Sequence, residues 1–332
     1  MIHIAIVEPI HPNAIKIIED NKNYSYEVIE NVEENNLINK LKECDAIALR
    51  TASLTSKIIN NCNKLKIVSR HGVGYDNVDV NALNNKDIPL TITIHANAIT
   101  VAEHVIAMMF YLNKKLHLFD DSVRNNNYDK LRIINNNIIT VNSELYKKNI
   151  LIIGFGRIGK ELSKRCQAFE MQILVFDPYI DDNTVVKHRA KKIDNLEEGI
   201  SIADYISIHM PLNKETKNII NKDNLKKMKK ESFIINTARG GIINEHDLSE
   251  ALDNNIIAGA GIDVYSQEPP KLDNPLLNNS KVVLTPHTAA LTKECWLRMG
   301  QETINNIINF FDNVLDQKVV VNTSSIKNKK YE

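Results

Sequence analysis

Arg239, Glu268 and His287 are the residues of this chain whose types and settings point most directly to chemistry. They lie in N-T-A-R-G at 236–240, G-I-D-V-Y-S-Q-E-P-P at 261–270 and T-P-H-T-A at 285–289. A guanidinium fork grips a carboxylate with two hydrogen bonds. An imidazole takes or gives a proton near neutral pH. A carboxylate beside it orients the ring and favours its protonated form. Upstream, G-F-G-R-I-G at 154–159 follows an apolar strand pattern and opens a helical one, the context in which a glycine fingerprint cradles a dinucleotide. Together these groups suit hydride transfer at a carbinol next to a carboxylate, the unit common to 2-hydroxy acids.

In the fingerprint, Gly154, Gly156 and Gly159 permit a tight turn, close approach to a pyrophosphate, and helix–strand packing. The N–H of Ile158 opens the following helix toward phosphate, and Arg157 can contact the pyrophosphate. Asp177 ends the next strand, 18 residues beyond Gly159. A carboxylate there accepts from ribose hydroxyls and repels a 2′-phosphate, which favours NAD over NADP. H-M-P-L at 209–212 closes another strand. His209 there either packs or lines the cofactor, with Pro211 and Thr216 following as further contacts.

The elements that must position these groups follow an α/β rhythm. Strands are expected at 2–7, 26–30, 46–50, 66–70 and 90–94, with helical patterns between them. A second series runs through 150–153, 173–176, 205–209, 233–236, 258–262 and 282–285. Such alternation argues for parallel sheets. Thr100 and Glu103 read as the capping box of a long helix. An Asn-rich stretch at 125–143 reads as a loop or arm, and a last amphipathic helix after Thr292 is expected to pack on the first domain.

The chain has 332 residues, 41 basic and 41 acidic, so its formal net charge is zero. That balance gives no electrostatic reason to expect nucleic acid or an anionic membrane as a partner. No apolar stretch spans a bilayer, and the N-terminus does not read as a signal peptide. Cys44, Cys62, Cys166 and Cys295 form no C-x-x-C pair, so neither a zinc site nor a disulfide framework is suggested, no metal is expected, and the cytoplasm is the expected compartment.

The chain resembles the D-isomer-specific 2-hydroxyacid dehydrogenases over nearly its full length. The resemblance rests on R-H-G-V-G-Y-D-N-V-D at 70–79, N-A-I-T-V-A-E-H at 97–104, G-F-G-R-I-G, H-M-P-L-N-K-E-T, N-T-A-R-G-G, G-I-D-V-Y-S-Q-E-P-P, N-P-L-L at 274–277 and P-H-T-A, in that order. It implies two Rossmann-like α/β domains with parallel sheets, separated by a substrate cleft. Residues 1–99 with 291–332 would bind substrate, and 100–290 would bind NAD. Arg239 would hold the substrate carboxylate, His287 would be the acid/base and Glu268 its partner. Asp263 would lie near the nicotinamide carboxamide, with Thr237, Ala238, His287 and Ala289 lining the cofactor from the quoted motifs. Val73 and Gly74 would belong to the substrate loop. A homodimer through the NAD-binding domains is also implied. Two departures from the family pattern, Tyr128 where tryptophan is common and E-L-Y-K-K at 144–148, fall in the arm and bear on the dimer.

Arg50 and Arg70 end neighbouring strands, and His71 follows the second. Both arginines are expected to reach the cleft, unless they pair with Asp76 or Asp79. Similar segments in D-3-phosphoglycerate dehydrogenases face a phosphate, so 3-phosphoglycerate or a similarly anionic acid is the first expectation. Reduction of glyoxylate or hydroxypyruvate is the second, and a non-enzymatic NAD-sensing corepressor the third. His71 could alter the pocket, and Trp296 either packs the last helix or lines a wall. The chain ends soon after that helix, so no C-terminal regulatory domain is expected.

Overall fold

Strands such as I-H-I-A-I-V and N-I-L-I-I are apolar at nearly every position, the pattern of a sheet covered on both faces. The computed structural model describes residues 1–127 and 142–325 and contains two such sheets. The chain runs β1 (Ile2–Val7), α1 (Pro12–Glu19), β2 (Tyr24–Ile29), α2 (Glu34–Leu41), β3 (Ala46–Leu49), α3 (Ser56–Asn61), β4 (Ile67–Arg70), α4 (Val80–Asn85) and β5 (Leu90–Ile92). Two helices follow, α5 (Ala98–Lys114) and α6 (Leu116–Arg124). The second series is β6 (Asn149–Ile153), α7 (Arg157–Ala168), β7 (Gln172–Phe176), α8 (Asp182–Lys187), β8 (Lys191–Lys192), α9 (Leu196–Ile202), β9 (Tyr205–Ile208), α10 (Lys222–Lys227), β10 (Phe233–Asn236), α11 (Glu245–Asp253), β11 (Gly259–Ile262) and β12 (Val282–Leu284). The last long helix is α12 (Lys293–Phe311).

These elements form two compact units, Met1–Asn97 with Leu291–Glu332, and Ala98–Ala290. The first unit is built on a five-stranded parallel sheet of order β2-β1-β3-β4-β5. Alternation along β1 sends Ala5 and Val7 to one core, and Ile4 and Ile6 to the other. α12 covers that second face with Ile304 and Ile307, and Gly300 lets it approach Ala14 of α1. Thr292 caps α12 by accepting from Cys295 N at 3.2 Å.

The second unit is built on a seven-stranded parallel sheet of order β12-β11-β10-β9-β6-β7-β8. Leu151 and Ile153 enter one core, while Ile150 and Ile152 enter the other. Each buried side chain of this kind contributes about 1.5–3 kcal/mol. α5 begins at Ala98, two residues before Thr100, and Thr100 is buried inside it. Thr100 is therefore not the cap that its spacing from Glu103 suggested. The helix extends past it because Ala98 and Ile99 accept helical geometry at low cost. β8, two lysines at the sheet edge, carries no apolar pattern that could announce it.

The four cysteines are buried free thiols. Tyr128 and most of the Asn-rich stretch lie outside the described residues. Among the described residues no helix is long and apolar enough to cross a membrane, and no group of His, Cys, Asp and Glu side chains gathers to hold a metal ion.

Candidate active site

Strand register explains how residues so far apart in sequence meet in the second unit. Leu284, Ile262, Asn236, Ile208, Ile153 and Phe176 pair in one continuous row across β12, β11, β10, β9, β6 and β7. One residue beyond that row lie Thr285, Asp263, Thr237, His209, Gly154 and Asp177. Arg239 and His287 each stand three residues past their row members, Asn236 and Leu284. The strand order reverses between β6 and β9. In open α/β sheets, ligands bind outside the carboxyl ends of the strands at such a reversal.

The glycine turn sits at this point. Gly154 has φ +93°, and a Cβ on it would lie 2.7 Å from the His209 carbonyl oxygen. A Cβ on Gly159 would lie 2.5 Å from the Gly154 carbonyl oxygen. Both glycines are demanded by the protein's own backbone. Gly156 is different: a Cβ there would meet no atom within 4 Å, and its φ of −71° is open to any residue. Space is kept in front of it, at the N-terminus of α7, where no side chain caps the helix. This is the cradle that a pyrophosphate fits, with free helix N–H groups and no Cβ to block it.

Asp177 braces the turn from the next strand. One carboxylate oxygen accepts from Phe155 N at 2.8 Å and the other from Tyr179 N at 2.9 Å. Each oxygen has a lone pair to spare for a ribose hydroxyl. His209 shares a hydrogen bond of 2.8 Å with the Ser207 hydroxyl through Nε2, while its Nδ1 is buried without a partner. Burial pushes the imidazole down to about 3, so the ring is neutral at neutral pH. Thr237 Oγ1 is likewise buried without a partner. Thr216 closes its own turn, donating to the Pro211 carbonyl at 2.7 Å and accepting from Asn213 N at 2.8 Å.

Three loops converge at the ends of β10, β11 and β12. Gly240 lies so close to β11's loop that a Cβ would fall 1.8 Å from the Tyr265 carbonyl oxygen. The Arg239 turn is thus seated against Tyr265 and Ser266. Tyr265 N–H donates to Glu268 Oε1 at 3.1 Å. Glu268 Oε2 lies 2.7 Å from His287 Nδ1. A carboxylate only accepts, so Nδ1 carries the proton and Nε2 is the nitrogen left for chemistry. His287 and Glu268 side chains are 50% and 37% exposed, so the pair is open to a ligand. Arg239 is half-buried, its Nη1 donating to the Ala238 carbonyl at 2.6 Å. Glu245 holds the loop from α11, accepting from Ser266 N and Asn274 Nδ2, both at 2.6 Å.

His287 occupies a left-handed backbone position, φ +53°. This costs a non-glycine residue roughly 1 kcal/mol and persists only where surroundings impose it. Asp263 imposes it. This carboxylate is 0% exposed; Oδ1 accepts from the Thr285 hydroxyl at 2.5 Å and Thr288 N at 2.8 Å, and Oδ2 from Ala289 N at 2.9 Å. The Asp263 carbonyl accepts from His287 N at 2.8 Å. His104 of α5 completes the set, with Nε2 3.2 Å from Thr285 Oγ1. Asp263 and Ala289, expected beside the cofactor, thus both engage beneath the His287 turn. Thr285 and His104 stand in quoted motifs, but nothing in their spacing signalled this joint task.

In the first unit the corresponding row is Ile29, Val7, Leu49, Arg70 and Ile92. Arg50 follows it directly, and its Nη1 donates to the Pro9 carbonyl at 3.3 Å. Arg70 folds back onto its own turn: Nη1 donates to the His71 carbonyl, over the space left by Gly72. His71 is 4% exposed. Burial, then the charges of Arg70 and Arg50, push its imidazole down to about 4. Val73 packs against the core and Gly74 is half-buried. Asp79 caps α4 through Ala82 N at 3.0 Å. Trp296 packs edge-on against His11 at 4.9 Å, inside the first unit.

A family model for the D-isomer specific 2-hydroxyacid dehydrogenase NAD binding domain matches residues 106–289. The chain belongs to the D-isomer-specific 2-hydroxyacid dehydrogenases. It is 35% identical over 321 residues to a D-3-phosphoglycerate dehydrogenase of Methanocaldococcus jannaschii, covering 96% of this chain and 59% of that protein. The chain therefore spans about three-fifths of the length of that dehydrogenase. It is 32% identical over 290 residues to a glyoxylate reductase of Korarchaeum cryptofilum, covering 86% of each. Among solved structures, a D-lactate dehydrogenase of Aquifex aeolicus, complexed with NAD and lactic acid, superposes with a TM-score of 0.79 at 26% identity, over 93% of this chain and 95% of that one. The fingerprint at 154–159 lies within that match to the family's NAD binding domain.

Proposed function

We propose that the protein is an NAD-dependent D-2-hydroxyacid dehydrogenase whose substrate is 3-phosphoglycerate or a similarly anionic 2-hydroxy acid. The observation that carries the reading is the Glu268–His287 pair, 2.7 Å apart on adjoining strand ends of the sheet that holds the glycine turn.

Arg239 binds the substrate carboxylate through its planar fork. His287 Nε2 takes the hydroxyl proton in oxidation and returns it in reduction. Glu268 keeps the proton on Nδ1, fixes the ring plane, and stabilises the imidazolium through a charge-assisted bond. Bound NAD supplies the hydride acceptor, and its reduced form the donor. Gly156 and the α7 N-terminus hold the pyrophosphate, and Asp177 the ribose. Thr237 and His209 offer buried polar atoms to the same ligand. The first unit contributes Arg50 and Arg70, which read a distal anionic group on the substrate. A cytoplasmic homodimer completes the proposal, and light scattering is expected to give twice the 37.7 kDa chain mass.

Reduction of glyoxylate or hydroxypyruvate is the second reading, favoured by the relative that matches this chain over 86% of both lengths. The deciding assay offers 3-phosphohydroxypyruvate, hydroxypyruvate and glyoxylate with NADH and with NADPH. We expect NADH to serve and the phosphorylated acid to give the highest kcat/KM. His287→Asn is expected to lower kcat by about 10²–10⁴-fold while NADH still binds. Oxidation of neither cofactor by any 2-keto acid sinks the enzyme reading and leaves an NAD-sensing corepressor.

A further inference from the structure

The first unit has its own reversal of strand order, between β1 and β3. By the rule applied to the other sheet, the carboxyl ends of these two strands are where a ligand crevice is expected. The residues that follow the register row there are Glu8 and Arg50.

Glu8 takes a left-handed conformation, φ +68°, and turns its carboxylate onto the end of β3. Oε2 accepts from Thr51 N at 2.5 Å and from Ala52 N at 2.7 Å. Oε1 accepts from the Thr51 hydroxyl at 2.5 Å. In the reverse direction, Arg50 N donates to the Val7 carbonyl at 3.3 Å and Arg50 Nη1 to the Pro9 carbonyl at 3.3 Å. Residues 8–9 and 50–52 therefore clasp each other. The far side of the segment is pinned too: Asn77 Nδ2 donates to the Ala52 carbonyl at 2.7 Å, and Leu54 N to the Asn77 carbonyl at 2.8 Å.

Successive backbone N–H groups aimed at one point form a nest for an anion. Here the chain fills the nest with its own carboxylate. Burial disfavours the charged form of Glu8, but the Thr51 hydroxyl, the N–H groups of Thr51 and Ala52, and the Arg50 charge outweigh it. They hold the carboxyl below its ordinary value, so it is ionised at neutral pH. A simple turn brace would need one of these bonds. Three of them, with Arg50 held in return, constrain both the arginine and what can approach it.

We propose that Glu8 is a positioning residue for anion recognition: by filling the Thr51–Ala52 nest itself, it fixes the segment from which Arg50 projects and leaves that guanidinium as the contact for the substrate's distal anionic group. The inference rests on the substrate role proposed above for this unit. A second anion cannot enter the filled nest without displacing Glu8. The distal group is therefore met by a planar fork, which suits phosphate or carboxylate. An acid without a distal anion gains nothing from the clasp.

The test uses the full chain as wild type, Glu8→Gln, Arg50→Ala and the double variant. KM and kcat are measured with NADH for 3-phosphohydroxypyruvate and for hydroxypyruvate, and the Kd of 3-phosphoglycerate by calorimetry. We expect Glu8→Gln to raise the KM for the phosphorylated acid by about tenfold, as loss of charge-assisted bonds does. Its kcat and its KM for hydroxypyruvate should stay within about twofold, a range too small to signal a lost bond. In the double variant the loss should equal that of Arg50→Ala alone, because both act through one guanidinium. Multiplying losses, or equal damage to both substrates, overturn the proposal. Should Glu8→Gln fail to fold, Thr51→Ala must show the same bias between substrates, and an unbiased loss overturns it. Wild-type protein that binds no 3-phosphoglycerate overturns the substrate reading and this inference together. Binding with multiplying losses overturns this inference alone.

Discussion

The two sheets meet the same geometric problem where their strand order reverses and solve it in opposite ways. β6 and β1 each lie at the reversal of strand order, and each is followed at once by a residue in a left-handed conformation. After β6 that residue is Gly154, which lets the backbone turn against His209 and leaves open space ahead of Gly156. After β1 it is Glu8, whose side chain occupies the donors of the neighbouring strand end. At one strand end the absence of a side chain leaves open space, while at the other a side chain takes up the backbone donors. A sheet of this kind thus provides the position, and a single residue decides whether the ligand or the protein itself occupies it.

Glycine substitutions break the comparison most severely. Gly154→Ala must accommodate a Cβ 2.7 Å from the His209 carbonyl oxygen at φ +93°. We expect a loss of about 3 kcal/mol or more, read as a fall in Tm. Gly156→Ala should leave Tm unchanged yet weaken NADH binding at least about tenfold, since the Cβ projects into space kept for the ligand. Equal behaviour of the two variants in calorimetry would refute the distinction drawn between them.

The Thr285 hydroxyl comes next. Thr285→Val removes the bond to Asp263 and leaves the His287 turn with less support. An approximately tenfold fall in kcat is expected, with NADH affinity preserved and activity restored in Thr285→Ser. A kcat that stays at the wild-type level in Thr285→Val would show that the turn holds without it.

A further effect concerns stability in acid, and it sharpens a likeness between the sheets. His71 and His209 each follow the register row of their own sheet, and both rings are held neutral by burial. The folded value of His71, about 4, lies below its ordinary 6.5. Between those values the unfolded chain binds the proton and the folded one does not, so stability falls as pH drops from 6.5 toward 4. The term amounts to a few kcal/mol at most, roughly 3. His71→Asn should flatten this part of the Tm-versus-pH curve. An unchanged slope would mean that the ring is hydrated.

Much of this was legible in the residues. The parallel sheets followed from short apolar runs alternating with helical patterns, and the Arg239, Glu268 and His287 loops from motifs at strand ends. Register lay beyond reach, because pairing between β10, β11 and β12 depends on contacts that no local pattern encodes. Asp263 came only through the resemblance, as a residue near the nicotinamide carboxamide, and no local pattern announced that its oxygens engage the turn beneath His287. Thr100 read as a cap because spacing alone cannot show that α5 starts two residues earlier. Glu8 carried no motif at all. Its meaning comes from a fold in which residue 51 lies beside it.

The single row of paired residues across six strands also divides the second unit into two faces with different tolerance for change. Segments entering the strands, such as 146–148, 230–232 and 278–281, lie at the opposite edge from the site. Lengthening one of them leaves the row intact, whereas one residue added within a strand slips every partner after it. Insertions, affinity handles and new chain termini therefore belong at that entry edge, where the protein can be rewired without disturbing the distance between a histidine and its glutamate.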